Sequence, residues 1–83
     1  MASIIREETH KYKNRVFKIV VLEDSWGFNV HTLDEAGKKV DHGKCSHENY
    51  TIIREKDISK DPVAEIIEVQ KKTIDLWVDK GLA

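Results

Sequence analysis

The sequence predicts a small α+β fold: an antiparallel meander of three to four strands with one C-terminal amphipathic helix packed on one face. Three observations predict it. The stretch from Asp61 to Gly81 repeats its apolar residues with a helical period and carries stop signals at both ends. Before it stand two segments with strand patterning, Val16–Leu22 and Trp26–Leu33. The links between strands are short and made of turn residues, which favours antiparallel neighbours. A chain of 83 residues has room for one domain, spanning 1–83, with a small core.

Within residues 1–14, Ser3–Thr9 reads as a short strand or a frayed helical turn, and the segment as a whole as an edge strand or a loose arm. Ile4-Ile5-Arg6-Glu7 recurs as Ile52-Ile53-Arg54-Glu55. The flanks differ, which argues against a duplication. Two strands with similar pairing roles would explain the recurrence, and so would chance. Val16–Leu22 is β-branched, short and apolar on both parities, as a central strand is.

Glu23-Asp24-Ser25 is a turn. The next strand alternates, with Trp26, Phe28 and Val30 on its buried face and Asn29 and a solvated His31 on the other. Asp34–Lys38 forms a hairpin turn with Gly37 at the position that needs positive φ. The return strand, Lys39–Lys44, has Val40 as its one strong apolar residue, so it belongs at an edge, where lysines discourage further pairing. A loop over 43–49 leads to a fourth strand, Tyr50–Glu55.

The helix covers 61–80. Asp61 is its N-cap, Pro62 its first residue and Gly81 its C-cap. Val63, Ile66, Ile67, Ile74, Trp77 and Val78 fall on one arc; Glu65, Glu68, Lys71, Lys72, Asp75 and Asp79 fall on the opposite, solvated one. Val69, Thr73 and Leu76 widen the apolar side beyond what one sheet covers. Gln70 falls inside the apolar stripe, where a buried amide must find partners.

Composition narrows the function. With 40% hydrophobic and 35% charged residues the chain is globular rather than disordered. A net charge of −1 excludes a global field toward nucleic acid or anionic lipid. Cys45 is the sole cysteine, so no intrachain disulfide forms; a reducing, cytoplasmic location is expected. The early charges at Arg6, Glu7 and Glu8 do not suit a signal peptide. The longest run without Asp, Glu, Lys or Arg, Ser25–Leu33, is far short of a membrane span.

Four clusters carry candidate chemistry. His42, Cys45 and His47, beside Asp41, have metal-ligand types at short spacing, but the second paired motif of a structural zinc site is missing. Cys45 with a nearby histidine would be a thiol nucleophile, yet no third member or oxyanion hole is visible. Lys11, Tyr12, Lys13, Arg15 and Lys18 form a basic patch with one aromatic, suited to phosphates and a stacked base. Val69 and Leu76, two helical turns apart, suit an interface with a second copy unless the N-terminal arm covers them. The sequence therefore predicts a non-enzymatic module without cofactor that binds another protein, with a homodimer through the helix. The alternative is a nucleic-acid-binding module using His10–Lys18; a metal or thiol site comes third.

Overall fold

The computed structural model describes residues 2–82. Strands β1 (Ser3–Tyr12), β2 (Arg15–Glu23), β3 (Gly27–Leu33) and β4 (Lys39–Ser46) form one antiparallel sheet in the order β1-β2-β3-β4. Helices α1 (His47–Lys56) and α2 (Pro62–Asp79) follow. The chain is thus α+β with an open four-stranded meander. No helix among the described residues is long and apolar enough to cross a membrane.

The first hairpin settles the described part of the N-terminal segment as a strand over Ser3–Tyr12 and a turn at Lys13 and Asn14, with residue 1 outside the described residues. Lys13 and Asn14 both take positive φ, 46° and 67°. Two such residues in succession make the tight turn whose twist matches antiparallel strands. β1 then pairs with β2 from Tyr12↔Arg15 back to Ser3↔Glu23, with a bulge between Ile4 and Arg6.

Alternation along β2 gives the sheet two different sides. Ile19 and Val21 share a core with Val30 of β3 and with Val63 and Ile67 of α2. This inner side also carries Phe17, Thr32 and, by register, Glu8 and His10 of β1 and Gly43 and Cys45 of β4. The outer side carries Lys11, Lys18, Val20, His31, His42 and Lys44.

The ends of α2 follow their local chemistry. Asp61 Oδ1 accepts from the Val63 and Ala64 amides, and Pro62 opens the helix. At the other end Gly81 has φ 72°, its N–H bonds to the Val78 carbonyl, and Leu82 N–H bonds back to Trp77. That pair of bonds is a Schellman motif, which satisfies carbonyls the helix would leave open. Gln70 meets the requirement that its burial imposes. Its amide donates to the Val30 carbonyl, and its carbonyl oxygen accepts from the Thr32 hydroxyl.

Four expectations change. Residues 50–55 are helix, not a fourth strand; the fourth strand is β1. Ser46 caps α1 by accepting from the Asn49 amide, and Tyr50 lies tilted against Phe28 at 4.9 Å between ring centres. An N-cap and a packed aromatic outweigh the β propensity of Thr51-Ile52-Ile53. The return strand runs through Cys45 and Ser46, two residues beyond the expected Lys44, where loop was expected. Trp26 is 50% exposed, not buried with Phe28. It sits in the turn before β3, its N–H donated to Asp24 Oδ1, with the Lys44 ammonium 5.5 Å from its ring centre.

The face of α2 expected to be solvated is partly docked. Lys71 pairs with Glu8 at 3.8 Å, Asp75 bonds to His10 at 2.7 Å, and Asp79 accepts from the Tyr12 hydroxyl at 2.9 Å. Four residues of helix advance about 6 Å and two residues of strand about 6.8 Å, so the two spacings keep in step over this length.

Candidate functional site

β4 is an edge strand: β3 pairs with one side of it and, among the described residues, no strand pairs with the other. The strand expected over 50–55 would have been a candidate to cover that edge. With those residues helical, the edge faces a groove of about 580 Å³. Its wall is the continuous run Asp41 to Cys45, and its floor includes Ile53 of α1 and Ile66, Val69 and Thr73 of α2.

Gly43 shapes this groove. A Cβ at that position would stand 2.6 Å from Ile66 Cγ2 and 3.1 Å from Gln70 Nε2. The missing side chain is what lets α2 lie close enough for Gln70 to reach Val30. α2 is thereby fixed with Ile66 against β4 and with Val69 and Leu76 beyond the sheet. Val69 is 61% exposed and Leu76 51%. β1 lies at the opposite edge of the sheet, so the N-terminal segment does not cover them.

The polar rim has its own order. Asp41 Oδ1 accepts from the His42 main-chain N–H at 2.8 Å. His31 and His42 are cross-strand partners on the outer side, their rings edge to face with centres 4.7 Å apart. Burial, then His42 and Lys39, hold the His31 imidazole below its ordinary pKa, so it favours the neutral form.

The metal-type residues do not converge. Strand alternation sends His42 to the outer side and Cys45 to the inner one. His47 starts α1, where its Nε2 is 2.9 Å from the Asp24 carbonyl and its ring is edge-on to Phe28. Among the described residues no group of three His, Cys, Asp or Glu side chains could hold a metal ion. Burial pushes the Cys45 thiol up, away from the thiolate that nucleophilic attack needs.

The basic patch is divided between the two sides of the hairpin and largely paired. Lys13 and Tyr12 both bond to Asp79, which holds that carboxyl below its usual range, Lys13 being the larger influence. Arg15 meets Glu35 through two nitrogens, at 2.8 and 3.1 Å. Glu35 Oε2 also accepts the Val16 main-chain N–H; Arg15 first, then the main-chain N–H groups of Glu35 itself and of Val16, lower the carboxyl to about 2. Lys18 lies 3.9 Å from Glu7. Lys11 has no such ion pair among the described residues and shares the outer side with Lys18.

The sequence signals contained the groove only in part. Val69 and Leu76 were visible as excess apolar surface, and Lys39–Lys44 as an edge. Ile53 and Gly43 were missed, because their roles depend on α1 being a helix and on where α2 crosses β4. Compared with known proteins, the chain matches no family model, no curated protein and no solved structure.

Proposed function

We propose that this chain is a non-enzymatic binding module for another protein, and that the partner seats in the groove along β4. One observation carries the reading. An unpaired strand edge, Asp41–Cys45, runs directly beside apolar side chains of both helices, Ile53, Ile66 and Val69. An edge supplies main-chain hydrogen bonds, an apolar groove supplies burial, and protein partners use both. The alternatives that need a reactive centre have less support, since the sole thiol is buried and the candidate ligands point apart.

The test is capture from an extract of the source cell, with and without nuclease, using wild type and a Val69→Glu, Ile53→Glu double variant. Both side chains are partly or well exposed, so the variant keeps its fold. A protein retained by wild type after nuclease and lost by the variant supports the reading. Equal retention by both overturns it.

A nucleic-acid reading has one observation in its favour. Among the described residues the outer side of the sheet carries Lys11, Lys18, Lys39 and Lys44 against a single carboxylate, Glu7, with Trp26 exposed nearby. A basic sheet surface with an aromatic suits a single strand. If it acts so, capture disappears with nuclease, and Lys18→Glu with Lys44→Glu weakens it while the groove variant does not.

A further inference from the structure

Which main-chain groups of β4 point off the sheet can be worked out from two bonds. The His42 N–H is taken by the side chain of its own neighbour, Asp41, so it does not point at β3. The His47 N–H bonds to the Trp26 carbonyl. Trp26 and His47 continue the β3–β4 register of Gly27↔Ser46 and Phe28↔Cys45. Odd-numbered residues of β4 therefore bond to β3, and His42 and Lys44 present N–H and C=O outward. The close approach of His31 to His42, 4.7 Å between rings, agrees, because pairs without mutual main-chain bonds bring side chains nearest.

The side chains flanking this edge differ by side. On the outer side β4 offers Lys39, His42 and Lys44, with no carboxylate on that face of the strand. On the inner side it opens into the apolar groove. A second copy paired through the same edge would bring Lys39 and Lys44 of the two chains together, which is unfavourable. A strand with acids on one face and apolar residues on the other meets both sides.

Resting on the protein-binding reading above, we propose that β4 accepts a fifth strand: an extended partner segment, antiparallel to β4, that alternates acidic and apolar residues. Its acids lie opposite His42 and Lys44, and its apolar side chains enter the groove over Ile53, Ile66 and Val69. Its main chain takes the His42 N–H from Asp41, so Asp41 is a latch that the incoming strand displaces. Directly opposed residues in an antiparallel pair share a face. The partner's acidic residues are then the ones whose N–H groups bond to β4, while those of its apolar residues point to solvent.

The experiment uses the full chain, isotope-labelled for NMR, and an octapeptide alternating valine and glutamate. Titration should shift the His42 and Lys44 amides first and slow their exchange with solvent. A peptide with lysine in place of glutamate should bind about tenfold more weakly or worse, as reversed cross-strand charges require. N-methylation at the glutamates should remove binding, and N-methylation at the valines should leave it unchanged. The Val69→Glu chain should bind the parent peptide more weakly. The proposal fails if the parent peptide does not bind, if the lysine peptide binds equally, or if the two methylated peptides behave alike. It fails equally if the shifts centre on Lys11 and Lys18. If these peptides fail while groove-dependent capture persists, the module binds protein by another mode, such as a helix in the groove. If the free chain sediments as a dimer with the Lys44 amide already protected, the occupant is a second copy and the partner-strand proposal is overturned.

Discussion

The side-chain amide of Gln70 on α2 donates to the main-chain carbonyl of Val30 on β3, 2.9 Å away, beside Gly43, whose bare Cα leaves the space. The same side chain accepts from Thr32, and Gln70 and Thr32 are both almost fully buried. Gln70 is the one buried polar residue of α2, and its amide fixes the helix both along and across the sheet. Gln70→Ala leaves the Thr32 hydroxyl without its partner and opens a void. We expect a loss of roughly 2–4 kcal/mol, read from denaturant unfolding. A loss under about 0.5 kcal/mol, the level of an ordinary surface change, would show that the amide does not anchor the helix.

Two glycines should rank in a fixed order. Gly43→Ala drives a methyl toward Ile66, a side chain that can yield, and should cost about 1–3 kcal/mol. Gly27→Ala meets the Cys45 carbonyl at 2.3 Å and the Ser46 Cα at 2.6 Å, main-chain atoms that cannot yield without parting β3 from β4. Thermal melts should therefore place Gly27→Ala below Gly43→Ala. The reverse order would mean that β4 moves more easily than α2.

The ladder between β1 and α2 predicts coupling between residues 65 apart in sequence, His10 and Asp75. A double-mutant cycle with alanine at both positions should give a favourable interaction of about 0.5–1.5 kcal/mol. The same cycle on Lys72, which is exposed on the helix, and Glu8 should give none. A null result at His10 and Asp75 would show that this pair does not help to hold β1 on α2, leaving that to Lys71 with Glu8 and Tyr12 with Asp79.

Glu35 sets a pH dependence. Its carboxyl is lowered from 4.5 to about 2, first by Arg15 and then by main-chain N–H groups. A lowered folded-state pKa means that its contribution is complete above 4.5 and fades as pH falls through about 2. The pair is exposed, so the test is the titration itself. Carboxyl NMR should place the Glu35 midpoint near 2 in wild type and move it toward the ordinary value in Arg15→Ala. A midpoint near 4.5 in wild type would show the Arg15 pair to be unformed in solution.

Replacing Val69 or Leu76 with a polar residue should barely alter the isolated chain. Each is more than half exposed, so Val69→Glu or Leu76→Glu should change stability by under about 0.5 kcal/mol. Ile74→Ala on the same helix removes a fully buried side chain and should cost about 2–5 kcal/mol. Equal losses at Val69 and Ile74 in urea unfolding would show that Val69 is covered in solution by something the single chain does not supply.

The sequence alone determined α2 almost completely. Its caps, its phase and its buried amide are local or periodic properties, and Asp61, Pro62 and Gly81 act on atoms within a few residues of themselves. It also determined the central strand and the lysine-rich edge, because apolar content on both parities and on neither are legible one segment at a time. The rest was decided by contacts between distant segments. Ile-Ile-Arg-Glu is strand at 4–7, where β2 offers its main chain, and helix at 52–55, after a Ser46 cap and with Tyr50 packed on Phe28. Four identical residues cannot choose between those states; their neighbours in space do. The same choice leaves β4 unpaired and places Ile53 beside Val69, so the groove exists in the tertiary structure only. Strand alternation, finally, separates His42 from Cys45, two residues whose closeness in sequence suggested a common site.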